Sequence, residues 1–339
     1  DWLKTSSLES DAAAFRACAD RLRDEGVDLA GYTVPQRVDD FEFVRRKLGY
    51  GPIDLVSESF GTRVALIYGW RYPKSIHRSV LVGANPPGHF LWDAKTTDEQ
   101  LQRYSALCAK DEGCRGRTED LAASVHSEFD RIPSRWWFLP IKEGNVRAAA
   151  LFGLFNATTD GGGPLAGPLT LDTFLSSEEG DASGMWLLSV ATQLAFPRVQ
   201  VAGDVAAMGQ IDDAYARRFF AAPVDRGRAI GDASTQFIWI GGRLVDAWPD
   251  SRDNKLYNRV RDSEFETPLV GGALDFSTPP QVAARELLPH LPNGKQVVLP
   301  NLGHTEDFWA YEEPASTRLI KTFFFNDTAT TEIYTENRL

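Results

Sequence analysis

The stretch that decides the fold reads Ile53-Asp54-Leu55-Val56-Ser57-Glu58-Ser59-Phe60-Gly61-Thr62-Arg63. A short strand-forming run, Ile53 to Val56, meets a turn of small residues. A helical pattern then runs from Thr62 to Tyr72, where Pro73 breaks it. Gly-x-Ser-x-Gly between strand and helix is a nucleophile elbow, in which small neighbours let a strained turn carry an exposed serine hydroxyl. Here Ser57 stands in for the first glycine. Alone, the pentapeptide also fits a plain strand–helix loop with a serine N-cap. Working outward, Asp11 to Glu25 carries a helical stripe of Ala12, Phe15, Cys18 and Leu22. Thr33-Val34-Pro35-Gln36 reads as a capping box opening a second helix. Val38, Phe41, Val44 and Leu48 are its expected buried face, and Gly49 is its left-handed stop. Ser79 to Gly83 is the next strand. This alternation predicts an α/β fold around a doubly wound, mostly parallel sheet.

Two further pieces lie far downstream. Thr267 to Gly272 reads as a strand, followed by Asp275 and a helix opening at Thr278-Pro279-Pro280. Lys295 to Leu299 is the next strand and runs into Pro300-Asn301-Leu302-Gly303-His304. An acid and then a histidine just beyond strand carboxyl ends suit an acid and a general base. The chain order Ser59, Asp275, His304 is that of an α/β-hydrolase. Taken singly, Asp275 fits a helix cap and His304 a loop residue. The other histidines, His77, His89, His126 and His290, show no metal-ligand spacing, so neither a metal nor another cofactor is expected.

The 339 residues carry 47 acidic against 36 basic side chains, a net charge of −11, the wrong sign for a phosphate-backbone binder. The longest uncharged apolar stretch, about 182–197, contains Ser, Thr, Gln, Gly and Pro and falls short of the ~20 residues that span a bilayer. The expected partner is a small peptide or ester substrate, with no nucleic acid, no membrane span and a monomeric chain. Cys108 and Cys114 flank a polar, turn-like segment that fits either a local disulfide or two reduced thiols; Cys18 is left over.

The stretches Leu48-Gly49-Tyr50-Gly51-Pro52-Ile53-Asp54-Leu55, Glu58-Ser59-Phe60-Gly61-Thr62-Arg63 and Arg71-Tyr72-Pro73 resemble the α/β-hydrolases of the proline iminopeptidase and tripeptidyl aminopeptidase group. Gly272-Ala273-Leu274-Asp275 with Thr278-Pro279-Pro280 is similar to their acid loop, and Gly303-His304 to their base. The Cys108–Cys114 spacing also recurs in such proteins, commonly exported ones. The resemblance implies a serine peptidase that releases residues from a free N-terminus, located outside the cell or in the bacterial envelope. A carboxylesterase or lipase-like hydrolase on the same fold is the alternative, and a non-catalytic binding fragment the second. Related enzymes carry a glycine-rich oxyanion loop before the nucleophile, and nothing between Asp1 and Ser57 matches it. The early strands and the second oxyanion donor are therefore expected to lie upstream of Asp1, with Cys18's partner, so a full-length parent is expected to be the active hydrolase and these 339 residues alone weakly active or inactive.

On this reading, residues 1–87 and 261–322 form the hydrolase core and 88–260 a mainly helical lid. Arg135-Trp136-Trp137-Phe138-Leu139 and Met185-Trp186-Leu187-Leu188 are the lid's apolar anchors, and Gly161-Gly162-Gly163-Pro164 a flexible loop within it. Residues 323–339 are expected to be a non-native or disordered tail, since Phe323 to Thr335 (FFFNDTATTEIYT) resembles a translated sequencing adapter. Ser59 would be the nucleophile, His304 its base and Asp275 the acid that orients the base. The Phe60 backbone N–H would donate to the oxyanion. Glu58, Glu178 and Glu179 are candidate holders of a substrate ammonium.

Overall fold

The computed structural model describes residues 1–199, 201–222, 229–249, 254–310 and 313–325. Helices α1 (Thr5–Asp24) and α2 (Val34–Lys47) lead into strand β1 (Ile53–Glu58), helix α3 (Phe60–Arg71) and strand β2 (Ile76–Val82). A helical layer follows: α4 (Ala94–Cys108), α5 (Glu112–Arg115), α6 (Leu121–Asp130), the short strands β3 (Arg135–Trp136) and β4 (Leu139–Pro140), then α7 (Glu143–Ala150), α8 (Thr159–Gly162), α9 (Gly167–Glu178), α10 (Ser183–Val199), α11 (Ala202–Gly209), α12 (Asp213–Ala221), α13 (Ile230–Ile238) and α14 (Asn254–Tyr257). The chain returns through β5 (Thr267–Gly272), α15 (Pro280–Glu286), β6 (Gly294–Leu299), α16 (Thr305–Ala310) and α17 (Glu313–Phe325).

Four strands form one sheet in the order β1-β2-β5-β6, and every neighbouring pair is parallel. Side chains alternate between the two faces, as a pleated strand requires. Val80, Val82 and Val270 pack with Phe308 of α16 and Phe323 of α17. Leu81 and Leu269 pack with Ala65 and Leu66 of α3, with Ala283 of α15 and with Leu287 just past it on the opposite face. A parallel sheet covered on both faces is the arrangement the strand–helix alternation predicts.

The second helix departs from its expected burial. Val38 is fully buried, but Phe41, Val44 and Leu48 are more than half exposed. They face an open groove of about 980 Å³ that runs along β1, an edge strand, to Ser57 and Glu58. The capping box does not form either. Thr33 is the N-cap, yet its side chain makes no capping bond. Gly49 does take the left-handed conformation, at φ 74°. In α1, Ala12 and Phe15 are buried while Cys18, expected on the same stripe, is an exposed free thiol. The buried side of α1 (Leu8, Ala12, Phe15 and Ala19) belongs to the core of the helical layer. These N-terminal residues, grouped by sequence with the sheet, thus share their core with the helical layer.

A buried ion pair ties this layer to the sheet. Arg63, in the first turn of α3, lies 2.8 Å from Asp212, and both are fully buried. Asp212 also accepts from the Gly88 and Phe90 amides at 2.7 and 2.9 Å. Arg63 in turn donates to the Asn85 side chain and, at 2.8 Å, to the Pro86 carbonyl. Cys108 and Cys114 form a disulfide that closes the end of α4 onto α5. Helix α17 reaches Phe325, so the stretch expected as tail from 323 begins inside an element. Phe323 is buried, and its carbonyl accepts from Arg78 at 2.7 Å. Residues 326–339 lie outside the described residues.

Candidate active site

Strand register brings the site together. Glu58 pairs with Val82, Val82 with Val270, and Gly272 with Leu299, so all four strands end along one edge. Ser59 follows β1 directly. Asp275 lies three residues past β5, and His304 five past β6. The ladder continues into the turn, because the Ser59 amide donates to the Val82 carbonyl at 2.9 Å. Ser59 sits at φ 48° and ψ −126°, a region that costs a non-glycine residue about 1–3 kcal/mol. This strain lifts the hydroxyl off the sheet at the N-terminus of α3. Ser57 fits in the place of the first elbow glycine. A Cβ on Gly61 would lie 4.0 Å from the Ser57 Cβ, an ordinary contact.

The Ser59 Oγ is 2.8 Å from His304 Nε2, and His304 Nδ1 is 2.9 Å from Asp275 Oδ2. The three expected residues therefore meet in one line of hydrogen bonds. Asp275 is fully buried and His304 nearly so. The Asp275 carboxylate also accepts from the Ser277 and Thr278 amides at 2.7 and 2.9 Å and from the Thr278 hydroxyl at 2.7 Å. Its backbone carbonyl takes a 2.7 Å bond from Gln100 of α4. Burial pushes the Asp275 carboxyl up. The attraction of His304 and the Thr278 donors outweigh it, and the carboxyl ends below its usual range. Burial pushes the His304 imidazole down. Asp275 outweighs that too, aided by Glu306 and Glu58, and the ring titrates above an ordinary histidine.

All five histidines have a carboxylate partner, so that feature alone picks out none of them. His77 pairs with Asp54, His89 with Glu286, His126 with Asp98 and His290 with Asp262. His304 differs in its burial and in the serine hydroxyl on its second nitrogen. Room for its ring comes from Gly83, at φ 61°. A Cβ there would stand 2.9 Å from Thr278 Oγ1 and 3.2 Å from His304 Cε1.

The Phe60 N–H opens α3 and is one of the four amides that a helix leaves without an internal partner. Glu58 adjoins the serine and accepts from the Trp309 indole. Glu178 and Glu179 are not brought to the site. Both are exposed at the end of α9, where Arg117 holds Glu179 at 2.7 Å. Among the expected lid anchors, Met185 and Leu188 are buried in the helical layer and Trp136 meets Trp186, whereas Trp137 and Phe138 are largely exposed. The aromatic rings that reach the site are others. Contacts of 5.5–6.1 Å run from Phe60 through Phe90, Trp92 and Phe155 to the His304 ring. No periodic pattern in the sequence marks Phe90, Trp92 or Phe155, since each lies outside the long helices.

A family model described as the alpha/beta hydrolase fold matches residues 16–151, and the chain has this fold. Among curated proteins the chain is similar to "Putative hydrolase YuaR" of Escherichia coli (strain K12), 26% identical over 132 residues. That match covers 37% of this chain and 26% of the relative, so the chain spans about a quarter of that relative's length. Among solved structures it is similar to MGS-M2, an alpha/beta hydrolase enzyme from a Medee basin deep-sea metagenome library, at 15% identity and a TM-score of 0.37, covering 87% of this chain and 72% of that one. It is also similar to a thermophilic esterase from Thermogutta terrifontis, at 14% identity and a TM-score of 0.32, covering 86% and 72%.

Proposed function

We propose that the chain is a serine hydrolase that cleaves peptide bonds near a free N-terminus through an acyl-enzyme. The observation that carries this reading is the unbroken set of hydrogen bonds from the Ser59 hydroxyl through His304 to Asp275. His304 Nε2 takes the Ser59 proton as Oγ attacks the scissile carbonyl. The Phe60 N–H donates to the oxygen that gains charge. His304 then returns the proton to the leaving amine, and water repeats the sequence to free the acid. Asp275 holds the tautomer with Nε2 open and stabilises the imidazolium. The aromatic belt supports a substrate with an apolar group beside the scissile bond. Glu58 and Glu306, whose negative field reaches His304, support an ammonium close to it. The disulfide is compatible with an oxidising location such as the bacterial envelope.

Ester hydrolysis is the second reading. It is favoured by the belt itself, which offers apolar surface for an acyl or alkoxy group beside the scissile bond. A fluorophosphonate probe should label Ser59, and Ser59→Ala should remove both labelling and turnover. Turnover that survives Ser59→Ala refutes the mechanism. Ligand binding with no turnover in either protein would mark a binding module. Rates on aminoacyl and tripeptidyl anilides against p-nitrophenyl esters separate the two enzyme readings.

A further inference from the structure

The mechanism leaves unused a fully buried carboxylate one helical turn beyond the base. Asp307 has no ion-pair partner among the described residues, yet it accepts four hydrogen bonds. Its Oδ2 takes the amides of Gly303 and Ala157, both at 2.6 Å. Its Oδ1 takes the Thr158 amide at 3.2 Å and the Thr158 hydroxyl at 2.6 Å. One of these partners and the Asp307 backbone bear on the base directly. Gly303 immediately precedes His304, and the Asp307 amide donates to the His304 carbonyl at 3.1 Å. The His304 amide in turn donates to the Phe155 carbonyl at 2.7 Å. The backbone around the base is thus held by one carboxylate and by the lid segment that this carboxylate grips.

The Gly161-Gly162-Gly163-Pro164 stretch, expected as a flexible loop, takes part. Its first two residues end the helical turn α8, and a Cβ on Gly161 would fall 2.3 Å from Asp307 Oδ1 and 2.7 Å from the Asp307 amide. Only a residue without a side chain lets the segment close on the carboxylate. Burying an unpaired charge is costly, and charge-assisted hydrogen bonds offset that cost only where the donors are held in place. The arrangement therefore fixes geometry rather than adding much stability.

We propose that Asp307 is a positioning residue: it clasps the 155–162 segment of the lid to the base loop and thereby sets the His304 imidazole against Ser59 and Asp275. The proposal rests on the hydrolase reading above. It makes the lid a structural partner of the base as well as a cover for substrate. A displacement of about 1 Å at a reacting group costs about 10²-fold in rate, so a loosened clasp shows as lost rate while substrate binding stays near its parent value.

The test follows His304 by NMR titration in isotope-labelled protein, together with the rate at which a fluorophosphonate labels Ser59. The charged groups that face the ring are Asp275, Glu58 and Glu306, and all are kept in the clasp variants. Asp307→Asn keeps the size but turns an amide N–H₂ toward backbone donors. Gly161→Ala and Thr158→Val loosen the clasp from the lid side should Asp307→Asn fail to fold. The expected result for each folded variant is a His304 midpoint moved toward the ordinary histidine value and labelling slowed roughly 10- to 100-fold, with Thr158→Val the mildest. Folded variants that keep both the parent midpoint and the parent labelling rate overturn the proposal. Asp275→Asn is the control that separates the two levels. Where it moves the midpoint and the clasp variants do not, only the clasp fails. Where it too leaves the midpoint unmoved, the hydrolase reading itself fails.

Discussion

Two residues with opposed titrations set the pH behaviour of the site. Asp275 has a lowered pKa in the folded chain, so its stabilising contribution is present above the ordinary aspartate range and is lost as pH falls through the folded value. His304 has a raised pKa, so its contribution is complete below the ordinary histidine value and is lost as pH rises through the folded value. Turnover needs the neutral imidazole, so activity should climb over the same interval in which this contribution fades. Profiles of kcat/KM against pH should therefore show an acid limb above the ordinary histidine value. Asp275→Asn should move that limb downward and lower kcat by about 10³–10⁴-fold. Gly83→Ala should cut activity more than stability, measured as kcat against Tm, because the new methyl meets the His304 ring and Thr278. That Ser59, Asp275 and His304 meet at one sheet edge was legible from the elbow pattern, chain order and strand ends. Asp307 was not, since a carboxylate that binds backbone amides leaves no partner residue to be read in sequence.

Among the elements, α2 shows the limit of reading helical periodicity. Phe41, Val44 and Leu48 have the spacing of a buried face, but spacing cannot say whether a neighbour lies opposite. Phe41→Ser should change stability by less than about 0.5 kcal/mol in denaturant unfolding. Leu66→Ala, in the α3 face against the sheet, should cost about 2–5 kcal/mol. The strands and the turn at Ser59 were read well because strong local signals, namely β-branched runs, small residues and Pro73, agree with the tertiary fold. The Arg63–Asp212 link escaped because its partners are 149 positions apart. Asp212→Ala leaves a buried guanidinium uncompensated and should destabilise by about 3–5 kcal/mol, read from the same unfolding curves.

At the scale of the whole molecule, the sheet formed by the described residues has two edge strands, β1 and β6, and the open groove lies beside β1. That groove carries exposed Phe41, Val44, Leu48, Tyr50 and Val56. Open edges invite pairing between chains. Light scattering should show association that rises with concentration, and Val56→Lys should reduce it. A second consequence comes from the distance along the chain between the hydroxyl and the imidazole that meet at 2.8 Å, which is 245 positions. Local helices form early, and a contact of such long range waits for nearly the whole polypeptide to be arranged. Catalytic competence would then arrive last during refolding, behind helical dichroism. A nascent or damaged chain would stay chemically silent, so under the proposed hydrolase function reactivity would serve as a certificate of completed folding.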